Sequence, residues 1–229
     1  MNPFRKIYVY IRRKSRVYFK KFILKKEKKL LKDKNFVIIA DNCWGGAVYQ
    51  WYERPYNSPF AGVGIYGDCY MKLLSNFDHY MAQELQFIDK SKYPFRELTY
   101  PLALLGDVEL HFTHYKTPKE AGTKWVRRTQ RMLEETNKDN YYFKICDAWK
   151  ADEEIFKKFH QLPFKNKISF TLKEKKTFNN PAHIGVNEHH KDDKTIVPNG
   201  IKLFKISFLY YDVTKWIVEK TIKRTTYKG

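Results

Sequence analysis

The chain is poor in the residues that mark several common classes. Its three cysteines, Cys43, Cys69 and Cys146, are odd in number and lack CxxC spacing. That argues against a disulfide framework or a zinc knuckle and for a reducing compartment. Its glycines form neither a GxGxxG fingerprint nor a Walker loop, so a nucleotide-phosphate reading of them is weak. There is no DxD motif, which counts against a metal-dependent glycosyltransferase. Neither HxxxH nor HExxH occurs in "HIGVNEHH", and His111 and His114 fall on opposite faces of a strand unless it ends between them, so no metal or other cofactor is expected. The longest uncharged stretch of the N-terminal segment, Ile7 to Ile11, is too short for a signal-peptide core or a membrane span. Internal repeats, low-complexity stretches and long linkers are all missing.

What is present is an ample core and an uneven charge. Aromatic residues make up 17% and hydrophobic residues 43% of 229 positions, enough for one well-packed domain. Of the formal +19, +12 lies in residues 1–34 and +4 in residues 215–229, which leaves +3 for the body between them. The basicity therefore belongs to the ends. In the first segment Phe4, Ile7, Tyr8, Ile11, Ser15, Tyr18, Phe19 and Phe22 recur at helical spacing among the cations, with Val9, Val17 and Ile23 off that stripe. A basic, aromatic-bearing amphipathic arm over 1–34 suits an anionic membrane surface. The expected location is therefore cytoplasmic, peripheral at the inner face of the plasma membrane. Nucleic acid is not the expected partner, because the body carries no RNP, KH or helix-turn-helix pattern.

Residues 35–229 read as a single α/β domain whose core pattern begins at Phe36. Strands are expected at Phe36–Ala40, on both sides of Gly106-Asp107, and in "YYFKIC" and "KISFTL". A helix is expected from Asp68 through "CYMKLLSNFDHYMAQELQFI". Another starts at Thr117-Pro118-Lys119-Glu120, where Thr caps, Pro takes the first position and Glu completes a capping box. "ADEEIFKKFHQL" and "YYDVTKWIVEKTIKR" are further helices, and "NNPAHIGVNEHHKDDKTIVPNG" reads as a polar loop. Alternating strands and helices imply a mixed, mostly parallel sheet flanked by helices.

Ligands of open α/β sheets bind beyond the carboxyl ends of the strands. That rule gathers Asn42, Cys43, Trp44, Gly45 and Gly46 behind the first strand, His114 and Tyr115 behind the hairpin, and Asp147 behind "YYFKIC". Thr117 opens a helix whose free amides favour phosphate, and Arg128 lies several turns along it. Asn42, His114 and Asp147 are the candidate catalytic groups, able to orient or deprotonate an acceptor. Cys43, Trp44, Gly45, Gly46, Tyr115, Thr117 and Arg128 are candidate ligand contacts. Each has a structural alternative: the glycines serve the turn, Cys43 is a small buried thiol, Trp44 is core rather than a sugar platform, and Asp147 caps the next helix.

The blocks "NCWGGAVYQ…SPFAGVGIYGDCYMKLLSN…YP…LGDVELHFTHYKTPKEAGTKWVRRTQRM" resemble the bacterial domain-of-unknown-function family 1919. The resemblance runs from about Phe36 to Trp216 and leaves the basic arm outside. It implies a compact α/β domain with a role near exopolysaccharide or capsular polysaccharide biosynthesis, and it brings no catalytic residue. Together these readings lead to an expected transferase acting on an activated sugar or lipid-linked glycan intermediate. The alternatives are a non-catalytic scaffold docked on the membrane and an RNA-binding protein using its basic ends.

Overall fold

The computed structural model describes residues 3–93, 98–177 and 179–225. Two basic helices, α1 (Pro3–Tyr18) and α2 (Lys20–Leu30), meet at Phe19 and lead into a buried strand, β1 (Val37–Ala40). Helices α3 (Trp44–Tyr52), α4 (Gly67–Ser75) and α5 (Phe77–Met81) follow. Next come strands β2 (Leu85–Ile88), β3 (Leu102–Leu105) and β4 (Val108–His111). The second half runs α6 (Pro118–Leu133), β5 (Tyr141–Cys146), α7 (Glu153–Gln161), β6 (Asn166–Leu172), β7 (His183–Val186), α8 (Gly200–Ser207) and α9 (Val213–Glu219).

A four-stranded sheet in the order β1-β5-β6-β7 is parallel throughout, with Val37 opposite Tyr141, Tyr142 opposite Asn166 and Ser169 opposite His183. The antiparallel strands β2-β3-β4 form a second, smaller sheet, joined to the loop before α4 by a bridge from Gly64 to His111. The α/β class inferred from the alternation therefore stands, with the hairpin placed in a sheet of its own. Side chains of a strand alternate between faces, and here both faces are covered. Ile38, Ala40, Tyr142 and Cys146 pack with Trp44, Val48, Leu203 and Trp216. Val37, Ile39, Phe143 and Ile145 pack with Leu73, Trp125 and Phe159 on the other side. Burial on both faces explains why β1 and β5 read as nearly unbroken apolar runs.

Local chemistry sets several boundaries. Thr117 Oγ1 accepts from Glu120 N at 3.2 Å, Glu120 Oε2 reaches back to the Lys116 N–H at 3.1 Å, and α6 starts there. Asp152 caps α7 by accepting from Ile155 N at 2.9 Å. Gly106 takes φ +61° at the hairpin.

Other expectations are corrected. The helix read through Ile88 breaks at Asn76 (φ −139°), resumes briefly as α5, and gives way to β2, whose pairing with β3 outweighs helical periodicity. The polar loop after Asn179 contains β7, held by parallel pairing with β6; a four-residue HIGV run is too short to show itself in the sequence. Gly45 and Gly46 lie in the first turn of α3 rather than in a loop. The segment after Asn199, unassigned from sequence, is α8. The core also begins before Phe36, since Leu24 and Leu31 of the basic segment are buried in it. Glu27 fastens α2 further, accepting from Trp51 Nε1 at 2.5 Å and pairing with Arg16 at 3.2 Å. Arg16 in turn stacks over the Trp51 ring at 4.5 Å and over Phe208 at 5.0 Å.

Candidate functional site

The site is built on the carboxyl ends of β1 and β5. Lys144, inside β5, and Asp41, just past β1, form an ion pair of 2.7 Å closed to solvent. Asp41 Oδ2 also accepts from Cys146 N at 2.9 Å. Burial lifts the Asp41 carboxyl above its ordinary value against the pull of Lys144. Burial is the largest influence on Lys144 and opposes its charge, but Asp41 and Cys146 together raise the ammonium. Asn42 extends this network. Its Oδ1 accepts from Lys144 Nζ and from Trp44 N, both at 3.1 Å, while its Nδ2 donates to Cys146 Sγ at 3.1 Å. The first turn of α3 is thereby locked to the sheet. A Cβ on Gly200 would come within 2.4 Å of Trp44 N and 2.5 Å of Asn42 Oδ1, so only glycine lets α8 begin against α3.

Two cavities flank this junction. The larger, about 1110 Å³, is lined by Asn42, Cys43 and Asp147 together with Tyr66, Tyr100, Trp149, Thr171, His183 and the 190–200 segment. Asp147 holds that segment in place: its Oδ1 accepts from Val197 N at 2.9 Å and its Oδ2 from Thr171 Oγ1 at 3.1 Å. Burial raises the Asp147 carboxyl, and these two donors oppose the rise. Trp149 lies so close to Gly64 that a Cβ there would meet its ring at 2.0 Å. It packs edge-on against Tyr66, at 5.1 Å between ring centres. His183 Nδ1 is 2.6 Å from Ser169 Oγ, which is 2.7 Å from His160 Nε2. Burial lowers these imidazoles to about 3 for His183 and about 4 for His160.

The smaller cavity, about 260 Å³, is lined by Cys43, Gly46, His114, Tyr115, Lys124 and Arg128, among others. Arg128 is buried, its Nη1 donating to Ala61 O at 2.9 Å and to Tyr115 Oη at 2.6 Å. Cys43, beside the start of α3, lines both cavities. Burial pushes its thiol up, with the Ile201 amide and Lys144 partly opposing.

The expected site residues thus divide. Asn42, Cys43 and Asp147 meet at the larger cavity; Cys43, Gly46, His114, Tyr115 and Arg128 meet at the smaller one. Trp44 lies in the core, its Nε1 3.4 Å from Ser207 Oγ, and Gly45 packs on Ile38 and Ala40. Thr117 caps α6 and lines neither cavity. Among the described residues, no group of three or more His, Cys, Asp or Glu is placed to hold a metal ion.

Sequence reasoning passed over Lys144, Tyr66, Tyr100, Trp149 and Gly200. Two of these carried a signal: a lysine inside the apolar run YYFKIC, and Asn199-Gly200 directly before an apolar-periodic stretch.

Comparison with known proteins bears on the family. An uncharacterised protein of Haemophilus influenzae is 33% identical over 184 residues, spanning 80% of this chain and 82% of the relative. A model of the family described as domain of unknown function (DUF1919) matches residues 14–217. The match starts inside α1, so the second half of the basic segment is part of the family domain rather than outside it. Packing of Leu24, Glu27 and Leu31 on the body gives the physical reason. With all but a short stretch at either end matched, the chain belongs to the DUF1919 family.

Proposed function

We propose that the protein binds an activated sugar or lipid-linked glycan at the inner face of the plasma membrane and acts on it as a transferase of surface or exopolysaccharide assembly. The observation that carries this reading is the pair of cavities meeting at Cys43. The larger has the aromatic rings and polar groups that suit a sugar, which stacks its apolar face and hydrogen-bonds its hydroxyls. The smaller has Lys124, Arg128 and the opening turn of α3 beside it, a combination that suits a phosphate or diphosphate.

Membrane proximity rests on a second observation. Phe4, Ile7, Ile11, Phe19 and Phe22 stand exposed on α1 and α2 or at their junction, among the cations of the same segment. Among the described residues no helix is long and apolar enough to cross a membrane, and a peripheral contact needs none.

The test is a calorimetric screen of the full-length protein against nucleoside-diphosphate sugars and a short-chain polyprenyl-phosphate sugar. Binding by one of them, weakened at least about tenfold by Arg128→Met, is the expected result for a lost charged hydrogen bond to an anion. Failure of every compound to bind removes the sugar reading. If the full-length protein then still binds anionic vesicles, the non-catalytic membrane scaffold takes its place, a role that the exposed α1 row supports by itself.

A further inference from the structure

Glu109 and His111 alternate with Val108 and Leu110 along β4, so the two polar side chains share the face turned away from the apolar cluster. Both are almost fully closed to solvent, and His111 Nε2 lies 2.9 Å from Glu109 Oε1. On the other side of the imidazole, His111 Nδ1 lies 3.2 Å from the hydroxyl of Tyr100, a residue that lines the larger cavity. We propose that Glu109, His111 and Tyr100 form a proton relay, with the Tyr100 hydroxyl as its working end in the cavity.

Three features support this. The Glu109 carboxylate is fixed before any ligand arrives: Ser91 Oγ donates to Oε1, and Lys92 N donates to Oε2 at 3.0 Å. The contact at Nε2 is a close charge approach without hydrogen-bond alignment, yet the nearby carboxylate still favours a proton on that nitrogen, which leaves Nδ1 to accept from the phenol. The imidazole is also walled by rings, with Tyr66 at 5.2 Å and Trp149 at 5.3 Å between centres, and a water-poor setting strengthens each of these contacts. A buried carboxylate beside an imidazole that contacts a hydroxyl at a cavity wall follows the logic of an activated hydroxyl group.

The step balances as a proton transfer without redox change. A hydroxyl of the bound ligand gives its proton to Tyr100 Oη, and the original phenolic proton passes to His111 Nδ1. The products are a ligand alkoxide, a neutral Tyr100 and an imidazolium beside the Glu109 carboxylate. The identity of that ligand hydroxyl, an acceptor for an activated sugar, rests on the reading above; the relay itself does not.

The experiment needs no ligand. Full-length protein is treated with N-acetylimidazole at neutral pH, and O-acetylation of each tyrosine is followed by peptide mass spectrometry. Tyr100 should react faster than the exposed Tyr10 and Tyr18, despite being half-buried. His111→Gln, which removes the imidazole acceptor from the phenol, should slow it severalfold. Should that variant not fold, Glu109→Gln is read in the same way. Tyr100 reacting no faster than Tyr10 and Tyr18, or unchanged reactivity in the folded variant, overturns the relay. An activated Tyr100 in a protein that binds no sugar phosphate leaves the relay standing and removes the sugar reading alone.

Discussion

Lys144 Nζ and Asp41 Oδ1 form a buried ion pair of 2.7 Å that joins β5 to the end of β1 where the site begins. Removing one charge strands the other in the core. Lys144→Met is therefore expected to destabilise the protein by about 3–5 kcal/mol, and Asp41→Asn in the same background should recover much of that loss. Urea unfolding of the two variants checks this. A single Lys144→Met variant as stable as the parent would show that the pair does not hold the junction.

That ion pair also shows where sequence reading reached its limit. Strands β1, β5 and β6 and helices α6 and α7 were legible because their apolar runs, caps and Pro118 act locally. Asn42, Cys43 and Asp147 were gathered at one edge by the rule for parallel sheets. Strand β7 and the end of the α4–α5 segment were not legible, since pairing with β6 and β3 decides them and pairing partners are distant in sequence. The ring-lined wall was missed for the same reason. Tyr66, Tyr100 and Trp149 come from three separate connections, and only the close approach at Gly64 brings Trp149 beside Tyr66.

Cys43 offers a second test. Its thiol is raised by burial, so it stays protonated at neutral pH even though it lines both cavities. Iodoacetamide should alkylate Cys43 more slowly than free glutathione at pH 7, because the thiolate is the attacking species. Cys43→Ser should keep the fold and ligand binding, while Cys43→Leu should disturb the start of α3. Rapid labelling of Cys43 at neutral pH with loss of ligand binding would make it a reactive nucleophile instead.

The His160–Ser169–His183 chain predicts acid sensitivity. Both imidazoles are held below the ordinary value of 6.5, through burial first, with Lys167 near His160 and with His160, Lys176 and Arg224 near His183. The unfolded chain therefore binds protons that the folded chain excludes. Their contribution is intact above pH 6.5 and is lost as pH falls toward about 4 and about 3. The loss is at most about 1.4 kcal/mol per pH unit for each histidine, and less for the partly exposed His160. Asp41 and Asp147, whose carboxyls are raised, act in the opposite direction, so the informative quantity is a difference between proteins. Urea midpoints at pH 7.5 and pH 5 should fall less in His183→Gln than in the parent. Equal falls would mean that His183 is not kept neutral by the fold.

The arm gives the last test, and its geometry selects the substitutions. Val9 and Leu24 face the body, and Arg12 and Arg16 stack over Phe208, whereas Phe4 is 80% exposed and Ile7 and Ile11 are each 55% exposed. Cutting away the whole basic segment would remove Leu24 and Leu31 from the core, so it would confound binding with unfolding. Changing Phe4, Ile7 and Ile11 together to Ser removes largely exposed apolar surface and should shift thermal stability by no more than about 0.5 kcal/mol per substitution. The parent should bind vesicles containing anionic lipid, at about 1 kcal/mol for each Lys or Arg near the surface. Raising salt should weaken that binding, since charges are screened beyond about 10 Å at 0.1 M, while a salt-resistant remainder comes from the buried side chains. The triple variant should lose part of that remainder, Phe19 and Phe22 keeping the rest, and keep the salt-sensitive part. A parent that ignores anionic vesicles yet binds RNA tightly through α1 would defeat the membrane reading. The arm would then be a nucleic-acid contact, its cations neutralising phosphates rather than lipid head groups.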